Sequence, residues 1–314
     1  MSEHIMVKET VLLLGGSGFI GKNIIDHVIN NEKQLNYKFV VLSREPQMDF
    51  INAVEYVIGD YSNKTTLKEL FSKWHFTQVF HCATSTTPLS SSDNILFDIN
   101  GNLIATIGLL DVMKDFNCKS ILYLSSGGAV YGEKNLELIP ESEICYPISS
   151  YGVVKLTIEN YLRLYQNQFG INYLILRVSN PFGKFHTSET QGIINVAIRR
   201  ALRGEIVEIW GDGKQSKDYI YVKDLVKIIF HLIENNHINK TINVGCGKSY
   251  QLNSILSTIQ IYLPTLRIKY LDSKISDVKD FSLDISYLHS LINFETSNFK
   301  DAVQETIAWE KLKK

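Results

Sequence analysis

Short apolar runs alternate with longer amphipathic stretches along the first half of the chain. The run TVLLLG precedes Phe19–Asn30, KFVVLS and EYVIGD precede Lys64–Trp74, QVFHCA precedes an apolar-striped stretch over 96–116, and SILYLSS precedes another over 151–169, followed by NYLILRVSN. Unbroken apolar runs mark strands buried on both faces, and apolar stripes at helical spacing mark the helices that cover them. This alternation predicts an α/β fold, a doubly wound and mostly parallel sheet of Rossmann-like type. After Pro181 the rhythm loosens, with a helix over 192–203, short strands at VEIWG, DYIYV and TINVG, and terminal helices ending in DAVQETIAWEKLKK. The expected organisation is a dinucleotide-binding domain over 1–180 and a smaller, interleaved substrate-binding region over 181–314. There is no Pro/Ser-rich linker, repeat or low-complexity tract between them.

Composition narrows the function class. The 314 residues are 45% hydrophobic and 21% charged, ordinary for a globular protein with a sizeable core. A formal net charge of -1 with no long run of like charge argues against nucleic acid or an anionic membrane as partner and favours small-molecule chemistry. Cys82, Cys118, Cys145 and Cys246 stand singly, without metal-ligand spacing, as expected of reduced thiols in the cytoplasm and of a protein that holds no metal. The N-terminal MSEHIMVKETVLLLGG lacks signal-peptide character and no run of about 18 apolar residues is evident, so a soluble cytoplasmic protein is expected.

Two motifs carry chemistry. VLLLGGSGFIGKN places Gly15, Gly18 and Gly21 three apart where a buried strand turns into a helix. Glycines there permit a tight turn, close approach to a pyrophosphate and close helix packing, while the helix start supplies N–H donors. The spacing differs from GxGxxG, and a tight turn alone would use the same residues. The second motif, SSYGVVK, sets Tyr151 and Lys155 four apart on one helix face. A lysine cation beside a phenol favours the phenolate, although the same spacing also occurs on solvated helix faces.

These motifs do not stand alone. GGSGFIG, Gly59-Asp60, HCA at 81–83, SSGGAVYG, YGVVK, LRVSNPFG and GDGKQSKDYIYVKDL follow one another in an order that resembles the extended short-chain dehydrogenase/reductase family, in its nucleotide-sugar epimerase and dehydratase branch, over nearly the whole chain. The resemblance implies that Tyr151 is the catalytic acid/base and that Lys155 holds the cofactor ribose and tunes the phenol. It implies cofactor contacts from Gly15, Gly18, Phe19, Ile20 and Gly21, from Asp60 and Tyr61, and from Ala83. It places Asn180, Lys217 and Lys274 at the nucleotide sugar, the two lysines standing where arginines are usual, with solvated surface charges as the alternative. Thr84, in the run HCATSTTPLSSS, offers a hydroxyl to the sugar, although such a run is also ordinary loop composition. His81 is expected to pack under the cofactor, outside the chemistry.

The chain also departs from the family pattern. Counting back four from Tyr131 in VYG, the usual catalytic Ser or Thr is Gly127. Ser126 or Ser125 then supplies a hydroxyl to the reacting oxygen, or water does, or Tyr151 acts alone; Ser126 is taken as the catalytic and substrate-binding candidate, and both serines finishing the strand's hydrogen bonds is the alternative. Gly128 and Ala129, where dehydratases of this branch carry an acidic pair, cannot transfer protons, so dehydration is disfavoured. At the end of the second strand Ser43 and Arg44 replace the acid that would bind a ribose 2′-hydroxyl, leaning towards NADP(H) over NAD(H).

The leading expectation is a UDP-sugar 4-epimerase, with UDP or dTDP as the nucleotide and hydride transfer at C4 of a nucleotide-linked hexose. An NADPH-dependent 4-keto-6-deoxysugar reductase and a non-catalytic nucleotide-sensing or scaffold protein are the alternatives. A homodimer is expected, formed through the helices over 96–116 and 151–169.

Overall fold

The computed structural model describes residues 9–31, 33, 36–46, 49–272 and 280–313. In chain order these form β1 (Glu9–Leu14), α1 (Phe19–Asn30), β2 (Tyr37–Ser43), β3 (Glu55–Ile58), α2 (Lys64–Trp74), β4 (Gln78–His81), α3 (Pro88–Ser91), α4 (Ile95–Asp98), a π-helical turn (Ile99–Ile104), α5 (Ala105–Asp115), β5 (Ser120–Ser126), α6 (Gly127–Val130) and α7 (Ser150–Phe169). There follow β6 (Asn172–Val178), β7 (Asn180–Phe182), α8 (Ile193–Arg203), β8 (Ile206–Trp210), β9 (Ser216–Tyr221), α9 (Val222–Glu234), β10 (Lys240–Val244), β11 (Ser249–Gln251), α10 (Leu252–Tyr262), β12 (Arg267–Leu271), α11 (Ser286–Leu291) and α12 (Phe299–Lys311). They fall into two compact units: one of residues 1–125, 149–176 and 236–241, the other of 126–148, 177–235 and 242–314.

The first unit is built on the seven-stranded sheet of order β10-β6-β5-β4-β1-β2-β3; the chain passes to the second unit inside β6 and inside β10. β1 pairs in parallel with β2 on one side and β4 on the other, Leu14 facing Leu42 and His81. The strand order therefore reverses at β1, and the crevice beyond the carboxyl ends of β1 and β4 is where such sheets bind ligands. Val11, Leu12, Leu13 and Leu14 are all buried, as a strand covered on both faces requires. Leu12, Leu14, Val40 and Val79 meet Leu67, Phe71, Leu109, Met113, Ile158 and Leu162 of the covering helices in one core.

Local chemistry sets the helix limits. Asn63 caps α2 by accepting from the N–H groups of Thr65 and Thr66 at 2.9 and 3.2 Å. Ser149 caps α7 by accepting from Gly152 N–H at 3.2 Å, and Gly170 ends it in the left-handed conformation with φ 67°. The helix expected over 96–116 is interrupted: between α4 and α5 the backbone opens into a π-helical turn. The segment Ile95–Asp115, which contains an 18-residue window of mean hydropathy 1.5, is long and apolar enough to cross a membrane by length and composition.

In the second unit β9 pairs in parallel with β7 and antiparallel with β11, and β8 pairs in parallel with β12. Buried Asp218 holds neighbouring segments together, accepting from the N–H of Cys246 at 2.9 Å and of Gly247 and Leu283 at 3.3 Å. Buried Arg177 donates to the Tyr131 hydroxyl at 2.9 Å, and that hydroxyl donates to Asn243 Oδ1 at 2.8 Å.

Candidate active site

The glycine turn has the geometry of a phosphate cradle. Gly15 lies at φ 79°, and a Cβ there would stand 2.8 Å from the Ala83 nitrogen and the Cys82 carbonyl carbon, so the turn rests directly on the chain leaving β4. A Cβ on Gly21 would collide with the Gly15 carbonyl oxygen. Gly18 donates to the Gly15 carbonyl at 3.0 Å and opens α1 without a side-chain cap, so Phe19, Ile20 and Gly21 form the first turn of a helix whose N-terminus faces away from any capping side chain, as an anion site requires. These residues fit a dinucleotide pyrophosphate.

Two turns flank it. Ser43, buried at the end of β2, turns its hydroxyl towards Ser17 in the glycine turn at 3.5 Å, while Arg44 is exposed. Gly59 donates to the Ser43 carbonyl at 2.9 Å, which sets Asp60 and Tyr61 beside the end of β2. Asp60 Oδ1 accepts from Ser62 N–H at 2.8 Å, and the Tyr61 hydroxyl donates to the Gly101 carbonyl at 2.7 Å. Burial raises the Tyr61 phenol well above its ordinary pKa, so it stays a neutral donor.

At the centre, Tyr151 is half-buried in the first turn of α7 and Lys155 is buried one turn on. The Lys155 ammonium donates to the Leu124 carbonyl at 2.8 Å and lies 5.5 Å from the Tyr151 ring centroid and 4.7 Å from that of Tyr123. Burial lowers its pKa to about 8, against the opposing pull of Cys82, Glu159 and Asp98. A lysine so placed holds a positive charge near the phenol on a short tether.

His81 is neutral. Its Nε2 lies 3.0 Å from Thr106 Oγ1, and that hydroxyl spends its proton on the Asn102 carbonyl at 2.6 Å, so Nε2 is the protonated ring nitrogen. Burial, reinforced by the Lys155 charge, lowers its pKa to about 3. It packs edge-on between Tyr61 and Tyr123, at ring-centroid distances of 5.4 and 5.3 Å.

Of the two serines ending β5, Ser125 is fully committed: buried, it donates to Glu159 Oε1 at 2.7 Å. Ser126 belongs to the second unit, is half-buried and precedes α6 without capping it. Gly127 is closely packed, for a Cβ there would stand 2.8 and 2.9 Å from the Leu283 methyl carbons and 3.3 Å from the Arg177 carbonyl oxygen. The missing hydroxyl at Gly127 thus has a steric counterpart in Leu283.

The first unit brings together Gly15, Gly18, Phe19, Ile20, Gly21, Ser43, Arg44, Asp60, Tyr61, Ala83, Thr84, Tyr151 and Lys155. Thr84 turns its hydroxyl onto the Thr86 carbonyl at 3.0 Å. In the second unit, Asn180 on β7 donates to the Asp218 carbonyl at 2.9 Å and Lys217 is half-buried on the adjacent β9. Lys274 lies outside the described residues. Sequence reasoning missed Ser91, Asp98, Asn102 and Glu159, all buried polar groups on the elements around Tyr151 and Lys155. Two signals were readable: Glu159 stands one turn beyond Lys155, and Asp98 is an acid set among the apolar residues Ile95, Leu96, Phe97 and Ile99.

Comparison with known proteins agrees with this geometry. Residues 11–245 match the model of the NAD dependent epimerase/dehydratase family. The "Putative UDP-glucose 4-epimerase" of Methanocaldococcus jannaschii is 30% identical over 312 residues, covering 96% of this chain and 98% of its own. The UDP-glucose 4-epimerase of Thermotoga maritima, solved with UDP-glucose, superposes with a TM-score of 0.90 at 26% identity, covering 97% and 99% of the two chains. The UDP-N-acetylglucosamine 4-epimerase of Methanobrevibacter ruminantium M1, solved with UDP-N-acetylmuramic acid, does so with a TM-score of 0.88 at 30% identity, covering 98% and 100%.

Proposed function

Because this chain belongs to the NAD dependent epimerase/dehydratase family, we propose that it is a UDP-sugar 4-epimerase in which Tyr151 exchanges the proton of the C4 hydroxyl. The observation that carries the reading is the pairing of Tyr151 with the buried Lys155 ammonium on the first turns of α7. NAD, held by the glycine turn, by Ser43, Arg44, Asp60, Tyr61 and Ala83 and by Lys155, would supply the hydride acceptor and donor at C4. The chain's own part is acid/base work. Tyr151, as the phenolate that the adjacent Lys155 charge favours, takes the C4 hydroxyl proton as the carbon is oxidised, holds it as the neutral phenol, and gives it back on reduction. We assign Thr84, Ser126, Asn180 and Lys217 to the nucleotide sugar, with Ser126 supplying the hydroxyl that Gly127 lacks; Lys274, where the same role is expected, is outside the described residues.

Three finer points belong to this reading. Ser43 and Arg44 end β2 without a carboxylate, so a 2′-phosphate meets a cation there and NADP is accommodated alongside NAD. Leu96, Phe97, Ile104 and Val153, between 49% and 71% exposed on the helical segment 95–115 and on α7, favour a homodimer formed through these helices. The same association accounts for the apolarity of Ile95–Asp115 without a membrane and suits a cytoplasmic enzyme.

The test follows the hydride. A UDP-hexose deuterated at C4 should keep its label while its C4 epimers interconvert, with no net change in NAD(P)H absorbance. Tyr151→Phe should retain the fold and cofactor binding and lose at least about 100-fold in turnover. Stoichiometric consumption of NADPH by a 4-keto sugar, with no C4 epimer pair interconverted, would replace this reading with a ketoreductase.

A further inference from the structure

Between β4 and α7 lies a buried polar cluster that the acid/base chemistry above does not use. Asp98, with no exposed surface, ends α4. Its Oδ1 accepts from the Thr86 hydroxyl at 2.6 Å and from Asn102 Nδ2 at 2.8 Å; its Oδ2 accepts from the Ser150 hydroxyl at 2.6 Å. Asn102 Nδ2 also donates to Thr86 Oγ1 at 3.1 Å, which fixes that hydroxyl's proton on Asp98. Each of these contacts is a donor, so the group acts as a carboxylate.

The cluster ties down both sides of the candidate site within the first unit. Ser150 immediately precedes Tyr151, whose own N–H donates to the Ser91 hydroxyl at 3.0 Å. On the other side Asn102 Oδ1 takes the Ser85 N–H at 2.9 Å, and Thr84 bonds to the Thr86 carbonyl. One carboxylate therefore joins the loop 84–91 to the turn that carries the phenol.

Helix capping does not require this arrangement. Ser149 already accepts the Gly152 N–H, and the bond from Ser150 to Asp98 uses a side-chain hydroxyl that satisfies none of the open backbone donors. Burying a carboxylate is costly, and apolar packing would hold the helix as well. A rigid hydrogen-bonded strap does something apolar contacts do not, which is to fix the rotation of the first turn of α7. Tyr151 and Lys155 sit one turn apart, so that rotation sets where the phenol lies against the ammonium, and displacements near 1 Å cost about 100-fold in well-oriented reactions.

We propose that the hydrogen bond between Ser150 and Asp98 is a positioning strap: it holds the Tyr151 phenol in register with Lys155 and with the loop 84–91. Asp98 and Ser150 are positioning residues that touch no reacting atom. The role of the strap in turnover rests on the C4-epimerase reading; its effect on the phenol does not. Around Lys155 and Tyr151 the other titratable groups are Cys82, neutral His81, Tyr61, Tyr123 and Glu159, which the test leaves in place, and Asp98, whose charge also acts on Lys155. The phenol titration is therefore read from the Ser150 variants, in which that charge is kept.

The experiment compares the parent with Ser150→Ala, Ser150→Thr and Asp98→Asn, all with NAD added. Tyrosine labelled with 13C at Cζ reports ionisation of the Tyr151 phenol directly, its resonance assigned by its loss in Tyr151→Phe, and needs no sugar. Ser150→Ala should move the midpoint of that titration upward by about one pH unit and lower kcat about tenfold, while NAD affinity and KM change less than about twofold. Ser150→Thr should restore both values. Adding Ser150→Ala to Asp98→Asn should cost less than about twofold beyond Asp98→Asn alone, since the bond from Ser150 is already weakened when its charged acceptor is lost. A parent-like Tyr151 titration in Ser150→Ala overturns the proposal, whatever the melting temperature does, as does a fall in NAD affinity that matches the fall in kcat. A parent enzyme that interconverts no C4 pair overturns the epimerase reading and leaves the phenol titration to decide the strap. Should Asp98→Asn fail to fold, Ser150→Ala and Ser150→Thr carry the test alone.

Discussion

Ser125 donates its hydroxyl to Glu159 at 2.7 Å, and the second oxygen of that buried carboxylate takes Arg163 at 3.2 Å. The bond links the end of β5 to the middle of α7, one turn beyond Lys155. Ser125→Ala leaves a buried carboxylate short of a donor, so it should destabilise the protein by about 1–3 kcal/mol while the folded fraction turns over normally. Ser126→Ala should do the reverse, slowing turnover with melting and cofactor affinity unchanged. Thermal melts read beside kcat distinguish the two; a Ser126→Ala enzyme of full activity would hand the missing hydroxyl to water.

Lys155 makes stability depend on pH in a definite direction. Its folded pKa, about 8, lies below the ordinary 10.5, so between these values the unfolded chain binds more protons and stability rises with pH. Relative to Lys155→Met, the parent should gain up to about 3 kcal/mol from pH 8 to pH 10.5, from 1.36 kcal/mol per pKa unit. Urea melts of both proteins across that window check it. Parallel curves would mean that the ammonium is not held in a desolvating site.

Ser43→Asp should shift dinucleotide preference towards NAD, because a carboxylate at the end of β2 repels a 2′-phosphate and accepts from a 2′-hydroxyl. Buried Ser43 stands 3.5 Å from Ser17, so the larger side chain must also turn away from the glycine turn. Titrating NAD and NADP against both proteins gives the answer, and an unchanged affinity ratio would show that this turn does not read the ribose.

Gly127→Ser restores the family's hydroxyl in composition only. The new Cβ meets the Leu283 methyls at 2.8 and 2.9 Å, so the substitution should destabilise by about 1–3 kcal/mol and add no activity. Combining it with Leu283→Ala should recover part of that stability. If the single variant is faster than the parent and equally stable, Leu283 is not the obstacle.

The parallel sheet and its covering helices were legible because β1 and β2 carry the unbroken apolar runs VLLL and FVVL and α2 starts and stops on Asn63 and His75, signals written in adjacent residues. The tight turn at Gly15 and the placement of Lys155 beside Tyr151 were legible for the same reason, since both follow from local spacing. Asp98 was not, for its partners Thr86 and Ser150 lie 12 and 52 positions away, and only the folded sheet brings them to it. The assignment of Ser125 to Glu159, 34 residues apart, was hidden in the same way. Leu283, which fills the space over Gly127, is remote in sequence and carries no polar signature at all.

The π-helical turn Ile99–Ile104 has an arithmetic of its own. An α-helix advances about 100° per residue, and a π turn takes up one extra residue in a single wide turn, so α4 and α5 keep the faces that an unbroken α-helix one residue shorter would give them. Deleting exposed Ile104 should therefore let the segment close into a regular α-helix with Asp98 still on the face that meets Ser150. A residue removed from α5 instead, with the π turn kept, turns Asp98 by about 100° away from Ser150. The wide turn is thus the one place where this segment can shed a residue and keep its angular phase.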